Sequence, residues 1–165
     1  MERLEDVPSS GVPRSLWLAF IPDISQWQRL TEDDDWRRLV EHEQRAFGLF
    51  TVSKDPATSG EAWLAFADYC VQYELVVVSS WGENSGWLDD TFDMAGVMRK
   101  VDGLATAEPL TSWHDDEPLS DAFEFFLSLP GNDLREDDHE PTAWERIALV
   151  VGEQRWYDVL RLIAE

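Results

Sequence analysis

Basic residues are scarce in this chain: 13 Lys and Arg stand against 34 Asp and Glu, giving a formal charge of −21 over 165 residues. Lysine occurs only at Lys54 and Lys100. Contact with phosphates needs a basic patch, so direct binding to nucleic acid or to an anionic membrane surface is disfavoured. Cysteine is nearly missing as well. Cys70 stands alone, which excludes an intrachain disulfide, and its place on an apolar stripe suits a small core side chain in a reducing cytoplasm. No run of about 18 apolar residues occurs, and MERLEDVPSS lacks the basic and apolar regions of a secretory leader. The chain is expected neither to cross a membrane nor to be exported.

What is present is a core-forming composition: 44% hydrophobic residues, with nine Trp and eight Phe. That argues for a folded domain in spite of the charge, and a chain of this size is expected to form a single domain over residues 1–165, burying about two thirds of its unfolded surface. A charge of −21 greatly exceeds the magnitude of roughly 2–8 that suffices for solubility, and self-repulsion costs stability. It points either to a partner of opposite sign or to a proteome biased toward acid. Residues 102–165 hold 16 acidic and 4 basic groups (−12), against 18 and 9 (−9) for residues 1–101. The shorter part has the denser charge.

The first dozen residues, 1–13, read as loose. Leu16–Ile21 (LWLAFI) reads as a buried strand ended by Pro22. Thr31, followed by an acidic run, reads as a helix cap, with Trp36, Leu39, Val40 and Phe47 at helical spacing and Gly48 as the stop. Leu49–Ser53 reads as a second short strand, and a helix opening at Thr58 or Ser59 buries Trp63, Phe66, Ala67 and Cys70. Val76-Val77-Val78 makes the best central strand. Leu88, Phe92, Ala95 and Met98 mark a helix with Asp89 and Asp90 in its first turn, and Ala122, Phe123 and Phe126 mark a shorter one. Residues 102–118 and 130–141 read as acidic loops. Trp144, Ile147, Ala148 and Val151, then Gly152, then Trp156, Val159, Leu160 and Ile163 fit a C-terminal helical hairpin; a β-hairpin about Gly152 competes with it. The expected fold is α/β or α+β, with a sheet of about three or four strands flanked by about four or five helices.

Searches for chemistry end in exclusions. His42-Glu43 begins like a zincin helix, but position 46 is Ala. Neither 114–117 nor 132–141 has the spacing of an EF-hand loop, and each His reads as a solvated or hydrogen-bonded surface side chain. Gly82 and Gly86 bracket Asn84 where a nucleophile elbow needs Ser, and the stretch has no Lys for a phosphate loop. Carboxylate pairs are too numerous for any one to stand out. No catalytic residue, metal ligand or cofactor is assigned.

Two places remain in which tryptophan lies beside acids: Trp81, Glu83, Asn84, Trp87, Asp89 and Asp90, and then Trp113, Asp115, Asp116 and Glu117. Indole faces attract cations and carboxylates pair with them, so these residues suit an interface for Arg and Lys. The competing reading is that the tryptophans cap the core and the glycines merely turn the chain. The function expected is a non-enzymatic cytoplasmic binding or inhibitor protein acting on a basic protein, either a toxin or a nucleic-acid-binding protein. In charge and size alone the chain resembles acidic immunity proteins and antitoxins. The alternatives are a DNA mimic, a secretion-type chaperone with an exposed apolar strip, and a small hydrolase-like enzyme with its pocket at the 81–90 loop, where Trp81, Glu83, Asn84 and Asp115 come first.

Overall fold

In the computed structural model of the chain, the structure describes residues 1–4, 15–43, 45–104, 108–129 and 144–164. A six-stranded sheet runs through the middle in the order β1-β2-β6-β3-β4-β5. Its strands are β1 (Glu2–Leu4), β2 (Leu16–Ile21), β3 (Phe47–Val52), β4 (Leu75–Trp81), β5 (Leu110–His114) and β6 (Glu145–Val151). The last five are mutually parallel, and β1 adds to β2 antiparallel. Parallel neighbours need crossovers, and helices supply them.

Five helical segments pack on one face: α1 (Gln28–Glu32), α2 (Asp34–Trp36) running into a π-helical stretch Arg37–His42, α3 (Gly60–Cys70) and α4 (Ser85–Val101). Trp36, Leu39, Trp63, Phe66, Leu88 and Phe92 meet Trp17, Leu49, Val78, Ile147 and Leu149 there. On the other face, α5 (Leu119–Ser128) and α6 (Gln154–Ala164) bring Phe123, Phe126 and Leu160 against Leu18, Phe50, Val76 and Val150. The domain is therefore α/β with three layers and a larger sheet than the three or four strands expected.

The differences have physical causes. The C-terminal helical hairpin is not formed, and neither is the β-hairpin about Gly152. Residues 145–151 enter the middle of the sheet between β2 and β3, so both faces of the run are covered, and only the segment after Gly152 is a helix. A strand buried on both sides loses its alternation, and four bulky residues then matched a helical period by coincidence. The helix expected from Thr31 is broken at Asp33, whose extended backbone and side chain cap the next segment by accepting from the Asp35 and Trp36 N–H groups at 3.0 and 3.1 Å. Thr31 instead donates to the Gln28 carbonyl inside α1. Phe47 and Gly48, expected on that helix and at its end, open β3, where a Cβ on Gly48 would lie 2.6 Å from Val77 Cγ1. The 102–118 stretch is interrupted by β5, and the N-terminal dozen contributes β1. The whole of the 130–141 loop, with the rest of the N-terminal dozen, lies outside the described residues.

Strands β2, β3, the interior strand β4 and helices α3, α4 and α5 stand near their expected places, and Cys70 is fully buried, with burial pushing its thiol up. Among the described residues no helix is long and apolar enough to cross a membrane, and no three His, Cys, Asp or Glu side chains are grouped to hold a metal ion.

Candidate functional site at the carboxyl end of the sheet

Strands β4 and β5 lie side by side, yet the chain leaves them in opposite directions: β4 feeds α4 on one face and β5 feeds α5 on the other. In parallel sheets this divergence opens a crevice at the carboxyl ends of the strands. Both tryptophan and acid segments end there. Trp81 closes β4 and donates from Nε1 to the Glu117 carbonyl at 2.9 Å, and the Gly82 N–H points to the His114 carbonyl at 3.5 Å. The two stretches are far apart in sequence and touch in space.

The turn between β4 and α4 is tightly made. Gly82 has φ +125°, and a Cβ built on it would overlap the Ser53 carbonyl oxygen beyond β3. Asn84 sits in the left-handed region at φ 60°, a conformation its short polar side chain tolerates, and its amide reaches Asp55 Oδ1 at 3.5 Å, the outer limit of a hydrogen bond. No side chain caps α4. The turn holds the helix start against the ends of β3 and β5.

Trp113 is 57% exposed and lies over the first turn of α4, where a Cβ on Gly86 would be 3.8 Å from its Cδ1. Glu83, Asn84, Asp90, Asp115, Asp116 and Glu117 are exposed around it. Asp89 is half-buried on the side of α4 that faces Thr111 of β5, and its Oδ1 is buried with no partner. Burial pushes its carboxyl above the ordinary range; the nearby Thr111 hydroxyl pulls the other way, and the charges of Asp90 and Asp93 push it up again. Trp87 is not part of this cluster. It turns to the opposite flank of α4, half-buried, with its ring 3.3 Å from where a Gly60 Cβ would stand. Trp81 is also half-buried, edge-on to Trp156 of α6 at 5.5 Å between ring centroids.

His114, expected at the surface, is 8% exposed and engaged at both ring nitrogens. Its Nδ1 pairs closely with Glu117 Oε1, its Nε2 lies 3.3 Å from Ser112 Oγ, and Ser112 in turn is 3.0 Å from the fully buried Ser79 Oγ. The Phe125 ring of α5 lies 5.1 Å from the imidazole. Ser112 and His114 share a face because they are two apart on a strand. That i, i+2 spacing was the available signal, but it has meaning only once residues 110–114 are known to be extended.

Neither a curated protein nor a solved structure matches the chain. A family model does, over residues 25–158, a span that takes in β3 to β6 and every residue of this crevice. The chain belongs to that family, described as a domain of unknown function, DUF7684.

Proposed function

We propose that the chain is an acidic binding or inhibitor protein of the cytoplasm, and that it engages a basic protein through the face built on Trp113. The observation that carries this reading is the convergence of an exposed indole with Glu83, Asp89, Asp90, Asp115 and Asp116, in two segments, 81–90 and 110–117, that contain neither Lys nor Arg. Asp90, Asp115 and Asp116, exposed beside the indole, are the carboxylates open to a guanidinium, and half-buried Asp89 adds charge behind them. Glu117 is already committed to His114 and contributes charge more than contact. Association is steered by the acidic field and its lifetime is set by the indole.

The test is calorimetric titration of the intact chain with a short oligoarginine peptide over a range of salt. A chain of this charge binds such a peptide somewhere in any case, so the comparison decides. Asp115→Asn with Asp116→Asn removes two charges at the face, and Glu61→Gln with Asp68→Asn removes two exposed charges on α3. The face pair is expected to weaken binding about tenfold more than the α3 pair, and Trp113→Ala to cost about 2 kcal/mol, roughly thirtyfold in Kd. Equal losses from the two pairs refute the reading.

A second reading rests on α4, whose solvent side exposes Met94, Met98 and Val101 at helical spacing, followed by Leu104. An exposed apolar strip of this kind favours a chaperone-like or scaffold role. Met94→Glu with Met98→Glu should abolish binding of a hydrophobic dye if the strip is contiguous, and leave it unchanged if it is not.

A further inference from the structure

Ser112, His114 and Glu117 form a chain of contacts whose order matches an activated nucleophile: a hydroxyl against one imidazole nitrogen and a carboxylate against the other. We propose that this chain is a second functional centre, an acyl-transfer site at which Ser112 is the nucleophile, His114 its base and Glu117 the group that positions the imidazole. Glu117 at Nδ1 holds the ring with its N–H on that side and leaves the Nε2 lone pair facing Ser112. The hydroxyl of Ser112 has two acceptors, Ser79 Oγ at 3.0 Å and His114 Nε2 at 3.3 Å. With Ser79 donating to Ser112 instead, the Ser112 proton points at the imidazole.

The surroundings indicate the substrate class. Leu110, 45% exposed, lies on the same side of β5 as Ser112, and Phe125, 44% exposed, stands against His114. Two exposed apolar side chains on either side of a polar pair suit an ester with an apolar acyl or aryl group. Ser112 Oγ attacks the ester carbonyl carbon and its proton passes to His114 Nε2. The carbon–oxygen bond to the leaving alcohol then breaks, and the alcohol takes that proton. Water attacks the acyl-serine, again losing a proton to Nε2, and the acid leaves as that proton returns to Ser112. Ester and water give acid and alcohol, and no other reactant is needed. This site stands apart from the partner-binding reading, because it uses the α5 side of β5 whereas Trp113 lies on the α4 side.

The intact chain is treated with an alkyl fluorophosphonate, the labelled serine is located by mass spectrometry, and p-nitrophenyl butyrate hydrolysis is followed in parallel. Expected are labelling at Ser112, none there in Ser112→Ala, and a loss of about a hundredfold or more in both readouts for His114→Gln. Glu117→Gln should lower kcat about tenfold with KM unchanged, and Glu117→Asp should recover part of that loss. Thermal melts show whether each variant is folded, and Ser112→Ala, which removes one oxygen, keeps the test open if His114→Gln is not. Labelling at Ser112 no greater than at exposed Ser128, or indifferent to a folded His114→Gln, overturns the proposal.

Discussion

Replacing Gly82 by Ala probes the turn on which both candidate centres are hung. Two costs add. A φ of +125° is in the region that side chains avoid, worth about 1–3 kcal/mol. The new methyl would also overlap the Ser53 carbonyl oxygen, with the carbonyl carbon at only 3.0 Å, and a backbone group cannot rotate aside as a side chain can. Overpacking of this kind costs about 1–3 kcal/mol more. Gly103, at the end of α4, supplies the control: its φ is +70°, but nothing lies within 4 Å of a Cβ there. Gly103→Ala bears only the left-handed penalty of about 1 kcal/mol. At about 2–4 °C per kcal/mol for a domain of this size, the melting temperature should fall by about 12 °C for Gly82→Ala and about 3 °C for Gly103→Ala. Scanning calorimetry on the two variants side by side reads the difference. A Gly82→Ala protein that melts with Gly103→Ala would show that β3 does not approach this turn, and the geometry of the crevice would fall with it.

Val77 is 3% exposed on the interior strand β4, so Val77→Asp places an unpaired charge in the core and should abolish cooperative melting; a sharp transition would refute the strand's interior position. Asp89→Asn should raise the melting temperature at neutral pH. The folded-state pKa of Asp89 is raised above the ordinary 3.8, so ionisation opposes folding: the penalty is absent below about pH 3.8 and complete once the pH passes the folded value. The gain from Asn should accordingly shrink as the pH falls toward that window, and a gain independent of pH would assign it to packing instead.

The legible parts of the fold were those with one face to solvent. α3 and α5 kept their stripes of Trp63, Phe66 and Cys70, and of Ala122, Phe123 and Phe126, because water on the far side enforces the period. β6 was misread for the opposite reason: with Ala148 and Val150 packed on one face and Ile147 and Leu149 on the other, nothing in the run distinguishes the faces. β5 was hidden because its pattern is that of an edge, with Leu110 and Trp113 exposed and Ser112 and His114 occupied by polar contacts. The acid and tryptophan residues of the crevice could be named from the sequence, but their meeting depends on β4 and β5 being parallel neighbours. Trp87 shows the limit of proximity in sequence: one residue from Gly86, it lies on the other flank of the helix.

The position of Asp89 separates two explanations of the acidity. Carboxylates at a helix start are ordinarily explained by the helix dipole, and the apolar stripe of this helix put Asp89 and Asp90 in its first turn. α4 begins at Ser85, however, and its first turn contains no acid. Asp89 is therefore one turn too far along to gain much from the dipole, which fades within the first turn. It is instead half-buried beside two other carboxylates, with one oxygen unpaired, so it opposes folding of the free chain. A partner's cation close by would oppose that contribution by favouring the ionised form. Asp89→Asn should thus stabilise the chain alone and weaken its binding to oligoarginine. A gain in stability joined to a loss of binding larger than Asp68→Asn on α3 produces would mark a binding residue; a loss no larger than that control would assign Asp89 to the general acidic field.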